Sequence, residues 1–282
     1  MYDVAIIGSG PAGLSAALTL KALKKNIILF GKPSLSEKIR RAEQIDNYLG
    51  LNSVSGENFA HLISEQLTAM DIDITDKQVT GVYNMDTHYG ILCNTEMFDA
   101  RTVILASGVE PIKAISGELE FLGRGVSYCA TCDGSLYKDK SIAVICTSNE
   151  HEHEIKYLSE LAKKIYLFSL YKNVTVSLDN VEIVSGVPRE IIGKFRAERL
   201  IHSNGELSVD GIFLLKSAIS PSALVQGLEI KDGHVTVDRN CQTNLSGLFA
   251  AGDCTGRPYQ YAKAVGEGNI AAHSAIKFLA NK

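Results

Sequence analysis

Two thiols and a carboxylate stand together near the middle of the chain: Cys129 and Cys132 frame Ala130-Thr131, and Asp133 follows at once. A C-x-x-C pair of this kind reads as redox or metal chemistry. Structural zinc needs four ligands, and no second pair or nearby Cys/His group completes the set, so zinc is disfavoured. The remaining cysteines, Cys93, Cys146, Cys241 and Cys254, are scattered singly. Six cysteines in 282 residues do not make a disulfide-stapled secreted domain. Cys254, beside Asp253, reads as a small buried apolar residue. At a helix start, the pair would have one thiol pKa lowered by the N-terminal dipole, which favours the attacking thiolate.

A second group of residues can hold a ligand rather than react. Gly8-Ser9-Gly10-Pro11-Ala12-Gly13 follows the apolar run Asp3–Ile7 and precedes a helical pattern carrying Leu14, Ala17, Leu18 and Leu20. A further apolar run, Ile27–Phe30, comes next. In this strand–helix–strand setting G-x-G-x-x-G means dinucleotide binding. Gly8 permits the tight turn, Gly10 lets the backbone approach a pyrophosphate, and Gly13 lets helix and strand pack closely. The helix N-terminus supplies free N–H groups and partial positive charge. The acidic ribose ligand usual after the second strand is missing; Phe30-Gly31-Lys32 stands there. Two later apolar runs end in small residues that permit close backbone approach to a ligand: Val103–Gly108, with Ala106 and Gly108, and Leu248–Asp253, with Gly252. Asp253 is an acceptor suited to a sugar hydroxyl.

The elements that must position these residues form an alternating α/β pattern. Hydrophobic residues make up 45% and charged residues 21%, which fits a folded chain rather than a disordered one. At 282 residues the length suits two modest domains. The formal charge of −4 argues against a general nucleic-acid binder. No apolar run approaches the ~20 residues of a membrane span. The first residues lack a basic n-region and run straight into a strand, so they do not read as a signal peptide, and a cytoplasmic location is the default expectation. Between the Val103 and Leu248 strands lies a second strand–helix–strand series: Ser141–Ile145, a helix over 149–163, and Ile165–Phe168. After Gly266-Glu267-Gly268-Asn269 an alanine-rich helix runs through Leu279. The expected fold is α/β with two Rossmann-like, three-layer ββα domains. The outer domain is discontinuous, over 1–112 and 246–282, and the inserted one covers 117–240, with hinges near 112–117 and 240–246.

Over nearly its whole length the chain resembles the low-molecular-weight thioredoxin reductases. The matching pieces, in order, are GSGPAG, Ile45–Gly50 (IDNYLG), LASGVEP, GRGVSYCATCDG and GLFAAGDC with its following helix. The resemblance implies an FAD domain interrupted by a domain carrying the redox-active pair, and a homodimer. It assigns Cys132 as the flavin-side thiol, Cys129 as the interchange thiol that attacks thioredoxin, and Asp133 as an acid/base residue. It makes Asn47, near Tyr48, an FAD contact. The ferredoxin–NADP reductases of similar architecture lack the Cys pair. No thioredoxin-like extension precedes the first motif, as it would in the related peroxiredoxin-reducing flavoproteins.

One expected motif is missing. The family carries a second G-x-G-x-x-A/G fingerprint, for NADPH, in the inserted domain; here Cys146-Thr147-Ser148-Asn149-Glu150-His151 occupies that place. Side chains stand where backbone should meet a pyrophosphate. Glu150, Glu152 and Glu154 add negative charge at the phosphate end of the helix. Ser169-Leu170-Tyr171-Lys172 replaces the His-Arg-Arg cluster that clamps the 2′-phosphate in the family. NADPH is therefore not expected as electron donor. In this the chain looks like the ferredoxin-dependent flavin thioredoxin reductases of anaerobic bacteria. Its tail from Gly256 to Gly268 resembles that branch, with Tyr259 where an Arg ordinarily stands, and places Gln260, Tyr261 and Ala262 among the FAD-binding residues. The implied route runs from reduced ferredoxin through FAD and the Cys129–Cys132 disulfide to thioredoxin.

Some residues are weighed otherwise. His151 and His153 sit about 200° apart on a helix, which favours a solvated face over a metal pair. Lys38, Arg40 and Arg41 serve equally as a ferredoxin-steering patch, an FAD phosphate contact, or plain surface. Two other functions compete: a thioredoxin reductase fed by another donor, and a non-enzymatic flavin-bound redox sensor. The intact CATCDG argues against the sensor.

Overall fold

Apolar runs without alternation build the first sheet. Residues 4–7 of the first strand are buried on both faces, as parallel strands covered on both sides are. The computed structural model describes residues 1–35, 40, 43–109, 115–216 and 219–281. In chain order the first stretch gives β1 (Tyr2–Ile7), α1 (Pro11–Ala22), β2 (Ile27–Phe30), α2 (Gly56–Ala69), β3 (Ile74–Thr75), β4 (Gly81–Asn84), β5 (Tyr89–Cys93) and β6 (Glu96–Leu105). The second gives β7 (Val126–Ser127), α3 (Ala130–Asp133), β8 (Ser141–Cys146), α4 (Glu152–Leu161), β9 (Lys164–Ser169), β10 (Val181–Ile183), β11 (Pro188–Gly193), β12 (Ala197–His202), β13 (Gly205–Ser208) and β14 (Gly211–Leu215). The last gives α5 (Pro221–Leu224), β15 (Ile230–Lys231), β16 (His234–Val235), β17 (Leu248–Ala250) and α6 (Tyr261–Ala280).

The chain divides into two compact units, Met1–Val109 with Ser220–Lys282, and Glu110–Ile219. The first holds a sheet of order β3-β2-β1-β6-β5-β4, with β17 against the far end of β6. Its β1, β2, β3 and β17 pairings are parallel, and β4–β5–β6 extend it as an antiparallel meander. Helices α1 and α6 pack on it around Ile6, Leu20, Ile104, Phe249 and Ala272. Each such fully buried Leu, Ile or Phe contributes roughly 1.5–3 kcal/mol. Helix α6 begins at Tyr261, earlier than the GEGN segment suggests. Gly268 lies inside it because a Cβ there would stand 2.1 Å from the Ala12 carbonyl oxygen of α1.

The second unit holds an all-parallel sheet, β10-β9-β8-β14-β7, and an antiparallel sheet, β11-β12-β13. Its core gathers Ile142, Val144, Ile155, Leu158, Leu167 and Phe213. The return to the first unit falls at Ser220, not at the expected 240–246. Residues 220–245 belong to the first unit because they pair within it: Val225 bridges Val82, Gln242 bridges Phe249, and the Ala250 N–H donates to the Cys241 carbonyl at 2.9 Å. Of the expected hinge 112–117, residues 112–114 lie outside the described residues, as do Lys38 and Arg41.

Candidate functional site

Strand register decides which residues meet. Phe30 pairs with Ile7, Ile7 with Leu105, and Leu105 with Ala250, so β2, β1, β6 and β17 end in one row. Gly8–Gly13, Gly31, Ala106–Gly108 and Gly252–Asp253 therefore all leave the same carboxyl edge of the first sheet, where ligands bind in open α/β sheets. The turn is tight enough to need its glycines. A Cβ at Gly8, whose φ is +116°, would lie 2.2 Å from the Ala106 oxygen, and one at Gly13 would lie 1.8 Å from the Gly8 oxygen. A Cβ at Gly10 would meet nothing within 4 Å, so that backbone borders open space. Gly10 caps α1 without a side-chain acceptor, which leaves the first-turn N–H groups of Ala12 and Gly13 without intrahelical partners. Ser107 Oγ is buried at the same edge with no hydrogen-bond partner. Open backbone, helix N–H groups and an unpaired hydroxyl fit the dinucleotide that the sequence motif implies.

The remaining expected ligands divide. Ser9 turns inward: its hydroxyl accepts the Lys32 N–H at 3.0 Å and donates to the Lys32 oxygen at 3.1 Å, tying the turn to the end of β2. Phe30 is buried edge-on against Phe98 and offers only its carbonyl, which accepts the Gly8 N–H at 2.8 Å. Asn47 and Gln260 come together, the amide donating to Gln260 Oε1 at 3.1 Å across 213 residues of chain. Tyr261 stacks edge-on against Phe59, which also meets Tyr48. Burial, then the charge of Asp253, raises the Tyr261 phenol pKa. Ala262 is exposed on α6.

Sequence reasoning missed the clamp that holds the Gly252 turn. Glu267 Oε2 accepts the Gly252 N–H and the Thr255 hydroxyl, each at 2.8 Å. Lys263 pairs with Glu267 at 3.0 Å and donates to the Gly252 and Gly256 oxygens. The signal was an i,i+4 Lys–Glu pair, which looks like ordinary helix surface.

In the second unit Val126 and Ser127 pair in parallel with Ile212 and Phe213, and the chain then passes through Tyr128 to Cys129. Cys129 and Cys132 form a disulfide. Cys129 is the N-cap of α3: its sulfur accepts the Cys132 N–H at 3.1 Å. Ser127 Oγ fixes it further, accepting the Cys129 N–H at 3.0 Å. The helix start expected of the pair is one turn, continued by a 3-10 turn over Gly134–Tyr137, so the direct N–H···S contact matters more than any long dipole. Cys129 is 6% exposed, and Cys132 and Asp133 are half-buried. Cys129 is therefore shielded from a protein partner in this structure. The other four thiols are buried, and desolvation pushes Cys93, Cys241 and Cys254 up to about 12 and Cys146 to about 11. They stay protonated at neutral pH and are poor nucleophiles.

The crevice after β8 is filled by the protein itself. Cys146 is fully buried, its thiol donating to the Ser148 oxygen at 3.1 Å, and Ser148 Oγ accepts the Glu150 N–H. Glu152, at the first position of α4, turns inward instead of facing solvent. It accepts the Tyr171 hydroxyl at 2.7 Å, the Thr175 N–H at 2.9 Å and the Thr175 hydroxyl. Burial works to raise its pKa, but the hydrogen bonds from Thr175 and Tyr171 outweigh it and hold the carboxyl below 4.5. It puts a negative charge in the first turn of α4, which disfavours an anion there. His151, expected on a solvated face, is buried and paired with Glu154 at 2.9 Å. Among the described residues no group of three or more His, Cys, Asp or Glu is placed to hold a metal, and no helix is long and apolar enough to cross a membrane.

The sequence model described as pyridine nucleotide-disulphide oxidoreductase matches residues 2–149 and 172–268, passing over the stretch that carries α4 and β9. A thioredoxin reductase from Ureaplasma parvum is 34% identical, with 99% of this chain and 97% of that protein covered. A crystal structure of a ferredoxin-flavin thioredoxin reductase from Clostridium acetobutylicum is 45% identical at TM-score 0.91, covering 99% of this chain and 98% of that one. A thioredoxin reductase from Gloeobacter violaceus is 28% identical at TM-score 0.78, covering 99% and 94%.

Proposed function

Since the chain belongs to the pyridine nucleotide-disulphide oxidoreductases, and among them to the thioredoxin reductases, we propose that it reduces thioredoxin with electrons from reduced ferredoxin and without NADPH. The cofactor is FAD, held at the first carboxyl edge by Gly8–Gly13, Gly31, Ala106–Gly108, Asn47, Gly252–Asp253 and Gln260–Tyr261. When bound, FAD supplies the means to collect single electrons and deliver them as a pair to a disulfide.

The chain's own residues carry the exchange that follows. Once the Cys129–Cys132 bond is reduced, the Cys129 thiolate attacks one sulfur of the thioredoxin disulfide. A mixed disulfide forms and the other thioredoxin sulfur leaves as thiolate. Cys132 then attacks Cys129, which restores their bond and releases the second thioredoxin thiol. Asp133, beside Cys132 in the chain, exchanges the protons that the two thioredoxin thiols take up. The Cys132 N–H, already aimed at Cys129 Sγ, stabilises that thiolate. The chain is read as a homodimer. The support is the family resemblance, together with the exposed Leu49 and Leu62 of the first unit. Light scattering at micromolar concentration tests that reading, and a monomer mass refutes it.

The observation that carries the choice of donor is the closed turn after β8, where Tyr171 and Thr175 both donate to the Glu152 carboxylate. Relatives that use ferredoxin are represented by the Clostridium acetobutylicum structure at 45% identity. The test is anaerobic mixing of the yellow holoprotein with each donor. Bleaching of the flavin by reduced ferredoxin, followed by thioredoxin reduction, is expected; equally fast bleaching by NADPH refutes the reading.

A further inference from the structure

A buried ion pair lies at the second unit's carboxyl edge, outside the chemistry described so far. Glu118 is 1% exposed and Lys216 3%. Lys216 Nζ donates to both Glu118 oxygens, at 2.8 and 3.1 Å, across 98 residues of chain. Glu118 Oε1 also accepts the Tyr128 hydroxyl at 2.5 Å, and Oε2 accepts the Ile115 N–H at 2.9 Å. Lys216 Nζ stands 5.9 Å from the centre of the Tyr128 ring. Tyr128 immediately precedes Cys129.

The placement of these partners is specific. The second unit begins at Glu110 and ends at Ile219. Ile115 is on the stretch by which the chain comes in, and Lys216 is on the stretch by which it leaves. One carboxylate therefore joins both ends of the unit to the residue before the redox pair. Stability alone is a weak reason for such a pair, since apolar residues of similar volume often serve as well. The strand that leads to Lys216, Gly211–Leu215, is apolar and buried throughout, so the charge stands at the end of a continuous core run.

We propose that Glu118, Lys216 and Tyr128 are positioning residues for the redox pair. The carboxylate fixes the backbone at Tyr128 against both ends of the unit. That keeps Cys129 in its capping conformation, sulfur aimed at the Cys132 N–H, whether the Cys129–Cys132 bond is closed or open. The proposal rests on the reading of this pair as the working disulfide, and it is independent of the electron donor.

The test uses FAD-loaded protein. Tyr128→Phe cuts one hydrogen bond and leaves the ion pair and ring in place. Glu118→Gln/Lys216→Met removes both charges together, because either change alone leaves a buried charge uncompensated and endangers folding. Each variant is equilibrated with glutathione buffers, and the Cys129–Cys132 disulfide is quantified by alkylation and mass. The equilibrium constant for ring closure is expected to fall about fivefold in both variants, a coupling usual for contacting residues. Turnover with thioredoxin should fall alongside it, with the KM for thioredoxin unchanged. A lowered thermal midpoint with an unchanged closure constant in both variants overturns the proposal. Failure of the ferredoxin reading leaves the glutathione measurement intact, so the two can fail separately.

Discussion

In the first unit, β2, β1, β6 and β17 end on Phe30, Ile7, Leu105 and Ala250, and Gly31, Gly8, Ala106 and Ala251 come next. In the second, β9, β8 and β14 end on Ser169, Cys146 and Leu215, aligned in the same way, and Leu170, Thr147 and Lys216 come next. Both edges are formed by parallel strands, and both have a helix starting close to the end of a central strand. The first edge is finished with small residues and keeps bare backbone and helix N–H groups. The second is finished with side chains that satisfy one another: Cys146 with Ser148, Glu152 with Tyr171 and Thr175, Lys216 with Glu118. One architecture thus serves two ends. Where the strands stop sets where a ligand could lie, and the next few residues decide whether one does.

The sharpest break of this comparison comes from the thiols. Cys129→Ser should keep FAD, because the first edge is untouched, yet lose thioredoxin reduction by more than about 10³-fold, as loss of a nucleophile does. Absorbance near 450 nm and a thioredoxin-coupled assay report the two halves. Retained activity would remove the second edge from the chemistry altogether.

Next in size are the glycines of the first edge, which should differ from one another. Gly13→Ala pushes a Cβ into the Gly8 carbonyl oxygen, so protein and flavin are lost together. Gly10→Ala meets no protein atom, so the fold should survive while FAD affinity falls by about 10- to 100-fold, the ~1–3 kcal/mol typical of overpacking. Thermal melts with and without added FAD separate the two. Equal FAD affinity in Gly10→Ala and the parent would mean that the open space there is not the ligand's.

What was readable in advance follows the same division. The strands and the glycine turn were legible because buried parallel strands are continuous apolar runs and the hexad has a fixed place between two of them. Loss of the second nucleotide motif was legible because it depends on three positions in six residues. The filling of that crevice was not, since it joins Glu152 to Tyr171 and Thr175, 19 and 23 residues on, and Glu152 read only as one of three carboxylates adding negative charge at the helix start. Nor was Glu118–Lys216, whose partners are 98 residues apart. The return crossing at Ser220 was hidden because residues 220–245 show no compositional break, and only their pairing with Val82 and Phe249 assigns them to the first unit.

The filled crevice has its own pH signature. Glu152→Gln should lower stability by about 1–3 kcal/mol at neutral pH, because three hydrogen-bond donors on Tyr171 and Thr175 lose a charged acceptor. The folded carboxyl titrates below its ordinary 4.5. Its contribution is therefore complete above about pH 5, and it is lost as pH falls through the lower folded value. Parent and variant melting curves should differ most at pH 7 and converge toward acid. A gap that persists unchanged at pH 3 would mean that packing, not charge, closes the second edge. Even then Glu152→Gln should gain no NADPH binding, since Cys146 and Ser148 still occupy the turn.

The smallest expected signal is a count of thiols, and it separates the redox pair from every other cysteine. Oxidised protein at pH 8 should take up almost no iodoacetamide over minutes. Cys129 and Cys132 are joined, and the thiols of Cys93, Cys146, Cys241 and Cys254 are held protonated by burial. At about three pH units below a pKa of 11, roughly one thiol in a thousand is ionised, and burial restricts access further. After mild reduction two sites should label quickly, and mass spectrometry should place both in the Cys129–Cys132 peptide. Rapid labelling of Cys146 would show that the turn after β8 opens in solution, which would undo the contrast between an open first edge and a closed second one.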